Sequence, residues 1–313
     1  MKTPPQVADV LTPDTLRMLA SIADSGSMSA AARALGLVPS ALSYRVRQLE
    51  QALDVLLFDR RSRQARLTEA GQELLREGQR LLLEIDAVAH RVKRVATGWE
   101  PQLTLAVDSV VSRTTVLELC EAFYALEPPT RLKLREETLS GTLACLSSGQ
   151  ADLAIGVVDE ASPQADIRAK PLGPLDFVFA VAAHHRLAAA AEPLSDAVIA
   201  RHRAVAVADS VHSGAGLTLG LLGGQDVLTV PNMAAKLQAQ LCGLGVGFLP
   251  RYMAQTQIEA GELVVKTLQR SNRVARCSYA WRHEASAKPG RALQWWLQQL
   301  ERPATRRALL SRP

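Results

Sequence analysis

Cysteine is scarce in this chain. Four among 313 residues (Cys120, Cys145, Cys242, Cys277) lie far apart, with no CxxC pair and no histidine at ligand spacing. That excludes a disulfide framework or a thiolate metal knuckle, so reduced and mostly buried thiols are expected, and no metal. His184 and His185 are adjacent and point different ways on a strand or a helix. No stretch approaches the roughly 18 uncharged apolar residues of a membrane span. The opening MKTPPQVADVLTPDTL holds no continuous apolar run of the signal-peptide kind. A cytoplasmic chain with no membrane partner is the expectation. Catalytic signatures are missing too: there is no GxSxG elbow, no HExxH and no Cys/His pairing. The glycine-rich GAGLTLGLLGG at 214–224 matches neither dinucleotide nor P-loop spacing. Neither an enzyme nor a resident cofactor is expected.

What is present fits a folded protein in two or three parts. Apolar residues make up 48% of the chain, too many for general disorder, and its length exceeds one ordinary core. The net charge of +5 is compatible with nucleic acid without requiring it. Its placement says more. Between Pro39 and Arg66 stand Arg45, Arg47, Arg60, Arg61, Arg63 and Arg66, against only Glu50, Asp54 and Asp59.

The segment from Ser27 to Thr68 reads as two short helices, a tight turn and a basic loop. Ala30, Ala31, Ala34 and Leu35 recur at helical spacing, and Gly36 then ends that helix. After the Leu37-Val38 turn, Pro39 suits a first helical position. Leu42, Val46, Leu49 and Leu53 form a buried face of the second helix. Its other face carries Ser40, Ser43, Tyr44 and Arg47, the donors and acceptors that grip phosphates and read base edges. Leu16, Leu19, Ala20 and Ala23 supply a preceding helix, and the arginine-rich loop stands where a wing would flank the groove. An amphipathic helix can carry Ser and Arg for solubility alone; the small residues, the third helix and the loop favour a DNA-binding helix-turn-helix.

GSMSAAARALG, PSALSYRVRQLE, LFDR and LTEAG, in that order and over about Leu11 to Gly71, resemble the N-terminal domain of LysR-type transcriptional regulators. The resemblance implies a winged helix-turn-helix that binds double-stranded DNA. It places Pro39, Ser40, Ser43 and Tyr44 at the start of the recognition helix and Arg63 on a wing entering the minor groove. Ser27, Arg45 and Arg47 complete the expected DNA-binding set. The chain departs from the family at Val38, where Ser or Thr is usual, removing a hydroxyl N-cap that is typically worth about 1 kcal/mol. Tyr44 stands where the family often has Arg, so bidentate guanine reading from that position is lost.

From Leu67 to Val95 the residues Leu67, Gly71, Leu74, Gly78, Leu81, Ile85, Val88, Val92 and Val95 alternate by four and three. So narrow a stripe fits a partner helix better than a globular core, with Gly71 and Gly78 marking close approach or local bending. The alternative is a long helix lying on its own C-terminal domain. In the resembling family this segment is a linker that pairs antiparallel in a dimer, which would present two recognition helices to an inverted repeat.

Past Ala96-Thr97-Gly98, short aliphatic strands alternate with helices: 103–108, 131–137 and 151–157 as strands around helices at Ser112–Leu126 and Gly141–Ser148. Strands follow at 175–182, 204–209, 226–230 and 246–250, with a helix at Asn232–Cys242 and another around Leu293–Leu300. This α/β texture implies parallel strands in two lobes, with chain crossings near 158–175 and 250–275. LSSGQADLAIG at 146–156 and GLGVGFLP at 243–250 are similar to the effector-binding domain of the same family, itself like periplasmic binding proteins.

The expected division is residues 1–68 for the winged helix-turn-helix, 69–98 for the linker helix, 99–302 for the two-lobe domain and 303–313 as a basic tail. Effectors in such folds sit between lobes, at strand ends and helix N-termini. That nominates Asp108, Ser109 and Val110, then Thr138, Leu139 and Ser140, then Asp209, Ser210, Pro231, Asn232 and Phe248. A carboxylate at Asp108 disfavours a simple acid unless a cation compensates, and suits an amine, hydroxyl or nucleobase-like donor. Three functions compete: an effector-modulated transcriptional regulator, a binding or transport protein, and an α/β enzyme. The N-terminal motifs favour the first, acting as a homodimer or homotetramer on DNA, with RNA polymerase as a further candidate partner.

Overall fold

The computed structural model describes residues 6–59, 65–158, 166–211, 220–270, 274–283 and 288–312. They fall into two units, Met1–Ala89 and His90–Pro313.

Side-chain caps start the helices of the first unit. After the short α1 (Val7–Val10), the Thr12 hydroxyl accepts the Thr15 amide and Pro13 opens α2 (Pro13–Ser25). Ser27 caps α3 (Met28–Ala34) through the Ala30 amide. Gly36, at φ 66°, ends α3: its amide and that of Leu37 donate to the Arg33 and Ala32 carbonyls, a closure that needs a left-handed residue. α4 (Pro39–Leu53) begins at Val38 with no side-chain cap bond. Leu42, Val46 and Leu49 of α4 bury against Met18, Leu19 and Ile22 of α2. The covered face of α3 differs from the spacing-based expectation. Ala31 and Ala32 are buried while Ala34 and Leu35 are exposed, because a seven-residue helix between two neighbours turns adjacent positions, not one stripe, toward them.

Phe58 and Leu67 bridge antiparallel, and the Asp59 amide donates to the Arg66 carbonyl, forming the base of a hairpin. Arg60, Arg61 and Arg63 lie outside the described residues. The buried Glu50 carboxylate accepts the Leu57 and Phe58 amides and ties α4 to that hairpin. α5 (Glu69–Thr97) then starts on the Thr68 hydroxyl, which accepts the Gly71 amide. A Cβ on Gly71 would stand 2.2 Å from the Leu57 carbonyl oxygen, and one on Gly78 2.7 Å from Leu16 Cδ2. Close approach, not bending, explains both glycines. Further along, Leu81, Ile85, Val88, Val92 and Val95 of the same stripe are exposed, Val95 to 88%.

The second unit is a curled mixed sheet. β1 (Gln102–Asp108), α6 (Arg113–Tyr124), β2 (Arg131–Glu137), α7 (Gly141–Ser147) and β3 (Leu153–Val158) give three parallel strands in the order β2-β1-β3, as the alternating pattern requires. β4 (Ile167–Ala182) is one long strand where the sequence pattern suggested only its second half. α8 (Asp196–Ile199), β5 (Ala204–Val207), β6 (Val227–Val230), α9 (Met233–Leu241), β7 (Gly247–Pro250), α10 (Arg251–Glu259) and β8 (Leu263–Val265) build the second lobe. β9 (Val274–Arg282) and α11 (Arg291–Glu301) return to the first.

β4 joins the lobes. Ile167 to Asp176 pair with β9, Phe177 to Ala180 with β7, and Ala180 to Ala182 with β8. In the second lobe, alternation along β4 sends Phe179 and Val181 into one apolar cluster and Val178 and Ala180 into another on the opposite face. The first-lobe core centres on Phe123, Tyr279 and Trp296, all fully buried. The segment expected to be a basic tail instead forms α12 (Pro303–Ser311). Leu309 and Leu310 are buried in the first lobe, and the Leu309 carbonyl accepts the Ser112 amide. Burial of two leucines outweighs the local density of arginines.

Candidate functional site

The solvent face of α4 carries what the spacing promised. Leu42, Val46 and Leu49 fix the helix through its buried side, leaving Ser40, Tyr44, Arg45 and Arg47 exposed and Ser43 half-buried. Tyr44 is 58% exposed, and its hydroxyl accepts a hydrogen bond from Gln48 Nε2 at 3.1 Å. Arg47 Nε donates weakly to the Ser43 carbonyl at 3.4 Å, leaving most of the guanidinium fork for an outside acceptor. Pro39 takes the first helical position of α4, and Ser27 caps the start of the preceding α3 through the Ala30 amide. Arg63 falls outside the described residues.

The second candidate site lies between the lobes of the second unit. A cavity of about 40 Å³ is lined by Asp108, Ser109, Val110, Thr138, Leu139 and Phe248 from the expected set. Phe177, Val207, Met233 and Lys236 also line it, none of them among the residues nominated from the sequence. Of these, Lys236 left a trace: it is the one cation in MAAKLQAQL, a helix otherwise of apolar and neutral residues.

Asp108 is 2% exposed, and both its oxygens are engaged, by the Val110 and Leu139 amides at 2.9 Å each. Burial raises its carboxyl to about 7, against the lowering pull of those two amides. It therefore staples the loops after β1 and β2 together. Phe248 is held edge-on by Phe179 at 5.4 Å, with the Arg270 guanidinium over its ring.

Ser140, Asp209 and Ser210 bind each other's lobes. The Thr138 amide donates to Ser210 Oγ at 2.7 Å, the Thr138 hydroxyl to the Ala208 carbonyl at 2.6 Å, and the Ser140 hydroxyl to the Asp209 carboxylate. Gly141 permits this approach, since a Cβ there would stand 2.5 Å from Ser210 Cβ. Asn232 caps α9 through the Ala235 amide and donates across the cleft to Glu136 at 2.6 Å. The Tyr252 hydroxyl, its phenol pushed up by burial, donates to the Val110 carbonyl at 2.8 Å. Asn232, Glu136 and Tyr252 belong to a larger neighbouring cavity of about 320 Å³, which shares Asp108 and Ser109 with the smaller one. Pro231 is exposed and lines neither.

A helix-turn-helix unit with an exposed polar recognition face, carried with a two-lobe ligand domain, defines an effector-binding transcriptional regulator. Residues 13–72 match the bacterial regulatory helix-turn-helix protein model of the lysR family, and residues 96–304 match the LysR substrate binding domain. The chain belongs to the LysR family of transcriptional regulators. It is 35% identical over 283 residues to the HTH-type transcriptional regulator YeeY of Escherichia coli strain K12, covering 90% of this chain and 91% of YeeY. It is 30% identical to PunR of the same strain, covering 91% of each. Among solved structures it resembles full-length LysG of Corynebacterium glutamicum with bound effector Arg (TM-score 0.51, 26% identity, 96% of this chain and all of LysG). It shares its fold with CbnR (TM-score 0.60, 16% identity, 95% of this chain and 99% of CbnR). No described helix is long and apolar enough to cross a membrane.

Proposed function

We propose that this regulator works as a homodimer or homotetramer in the cytoplasm, reading an inverted-repeat operator with paired α4 helices and without enzymatic activity. The observation that carries the reading is the α4 face of Ser40, Ser43, Tyr44, Arg45 and Arg47, held outward by a fully packed opposite side. Hydroxyls and guanidinium groups placed so can enter a major groove and grip phosphates. Pro39 and Ser27 set that helix's approach, and Arg63 on the wing takes the adjacent minor groove. The exposed aliphatic stripe of α5, from Leu81 to Val95, supports pairing of two chains.

The effector sits in the inter-lobe cavity, against Asp108, Ser109, Val110, Thr138, Leu139 and Phe248. LysG, with arginine bound as its effector, supports a ligand role for a domain of this architecture. Ser140, Asp209, Ser210 and Asn232 act as the latch between lobes, and Pro231 serves only as the lead into α9. A ligand that favours one lobe separation shifts DNA occupancy through a coupling of a few kcal/mol. Gel-shift titration against salt tests the reading: affinity falls steeply as counterions compete, and a flat salt response contradicts phosphate contact.

A further inference from the structure

Val38 breaks the pattern of the first unit. α2, α3 and α5 each begin on a hydroxyl, that of Thr12, Ser27 or Thr68, which accepts an amide of the first turn. α4 begins on a valine. Val38 takes the N-cap position with extended backbone (φ −77°, ψ 143°), and only its carbonyl serves the helix, accepting the Ala41 and Leu42 amides. A hydroxyl there could also accept an amide through its side chain, which a valine cannot do. Nor is the side chain packed away. Val38 is 63% exposed, more than any other large apolar side chain described in the first unit, and it stands outside that unit's apolar cluster. Its branched hydrocarbon therefore serves neither the helix start nor the core.

Its surroundings say what such a group can do. Ser40, Tyr44, Arg45 and Arg47 follow it on the open side of α4, with Ser43 half-buried. These side chains offer hydroxyls and guanidinium groups, and none of them is aliphatic. The N-terminal residues of a recognition helix are the ones that meet base edges. In the major groove the polar edges answer hydroxyls and guanidinium groups, whereas the thymine C5-methyl is read by apolar contact. A valine at the leading end of α4 adds the kind of contact that the rest of the face lacks. Two methyls held clear of the core can cover a thymine methyl and release its water, with no bond partner required.

We propose that Val38 is a specificity-determining residue, its side chain packing on the C5-methyl of one thymine in each half-site. The proposal rests on α4 being the helix that enters the major groove and adds a base preference to that reading.

The test uses the full-length protein and the intergenic duplex upstream of its own coding sequence, made with a small random fraction of thymine replaced by uracil, which lacks only the methyl. Bound and free duplex are separated on a gel and cleaved at uracil. A position where the missing methyl weakens binding is then depleted from the bound fraction. Wild type shows one such thymine in each protected half-site, and uracil placed there alone weakens binding about fourfold, the effect expected of one buried methyl. Val38→Ser binds thymine and uracil duplexes alike at that position, while Val38→Ile keeps the preference. Serine can cap α4, and an unfolding midpoint at or above that of wild type confirms that the variant folds. Uracil tolerated by wild type at every position overturns the methyl contact and leaves α4 in the groove. A preference that survives unchanged in Val38→Ser gives the methyl to another side chain and overturns the proposal equally. Failure of wild type to bind either duplex at low salt defeats the reading of α4 itself, and the proposal with it.

Discussion

The two binding surfaces of this chain are assembled in opposite ways. Ser40, Ser43, Tyr44, Arg45 and Arg47 come from two turns of one helix, are open to solvent, and make few bonds to the rest of the protein. The inter-lobe cavity draws Asp108, Thr138, Val207, Lys236 and Phe248 from five separate segments, and most of their polar atoms already bind the protein. An outward helix face meets a long, uniform polymer, so its groups wait for partners. A closed cleft meets a small molecule that must supply what the walls lack. The difference predicts that substitutions on α4 change DNA affinity without touching stability, whereas substitutions in the cleft change both.

The largest expected effect breaks the frame under the first surface. Gly71→Ala pushes a Cβ to 2.2 Å from the Leu57 carbonyl oxygen, a backbone atom that cannot rotate away. Overpacking of that kind costs about 3 kcal/mol, more than the ~1 kcal/mol of helix propensity alanine returns. Denaturant unfolding of the variant should show an early transition with loss of DNA binding. An unchanged midpoint removes the close-packing account of that glycine.

Next come direct contacts. Arg47→Ala weakens operator binding by about 1–3 kcal/mol with the unfolding midpoint unmoved, and Arg63→Ala does the same mainly at A·T-rich flanks. Ser43→Ala and Tyr44→Ala alter sequence preference more than affinity for random duplex. Competition gel shifts on wild-type and mutated half-sites separate the two. In the cleft, Ser210→Ala removes the acceptor of the Thr138 amide and costs about 1 kcal/mol of stability. Its distinguishing mark is a changed ligand response, seen as a different ligand dependence of the unfolding midpoint.

How much of this was legible in the residues follows from the same contrast. The α4 face repeats at three-and-four spacing within one helix, so periodicity alone separates Leu42, Val46 and Leu49 from the polar side. β4 was half hidden because Pro171, Gly173 and Pro174 read as loop. In the fold they sit around a register shift against β9, before β7 begins, so no second neighbour requires the missing amides. Lys236 was hidden for another reason. Its helix was recognisable, but only the closing of two lobes puts it on the wall of a cavity that Asp108 also lines. Glu50 read as one charge among several, and only the hairpin amides at Leu57 and Phe58 reveal its use. The Leu309-Leu310 pair was masked by the arginines around it.

A smaller effect is readable in pH. Asp108 is raised by burial from 3.8 to about 7, so folding favours its neutral form. Its contribution is fully present below the unfolded value and is lost as pH rises through about 7. His185 and His202 are lowered, chiefly by burial, and act the opposite way, losing stability as pH falls through the ordinary histidine range. Comparing wild type with Asp108→Asn isolates the carboxyl: the difference in midpoint between the two should grow from pH 5 to pH 8 in favour of the variant. A difference constant with pH removes the buried-acid account.

The most direct test of the central claim is a footprint of the full-length protein on the intergenic duplex upstream of its own coding sequence, at low and raised salt. The α4 surface predicts two protected patches on one side of the duplex, related by an inverted repeat about one helical turn apart, fading as salt rises and lost in Arg47→Ala. No protection at low ionic strength, or protection indifferent to both salt and Arg47, contradicts it.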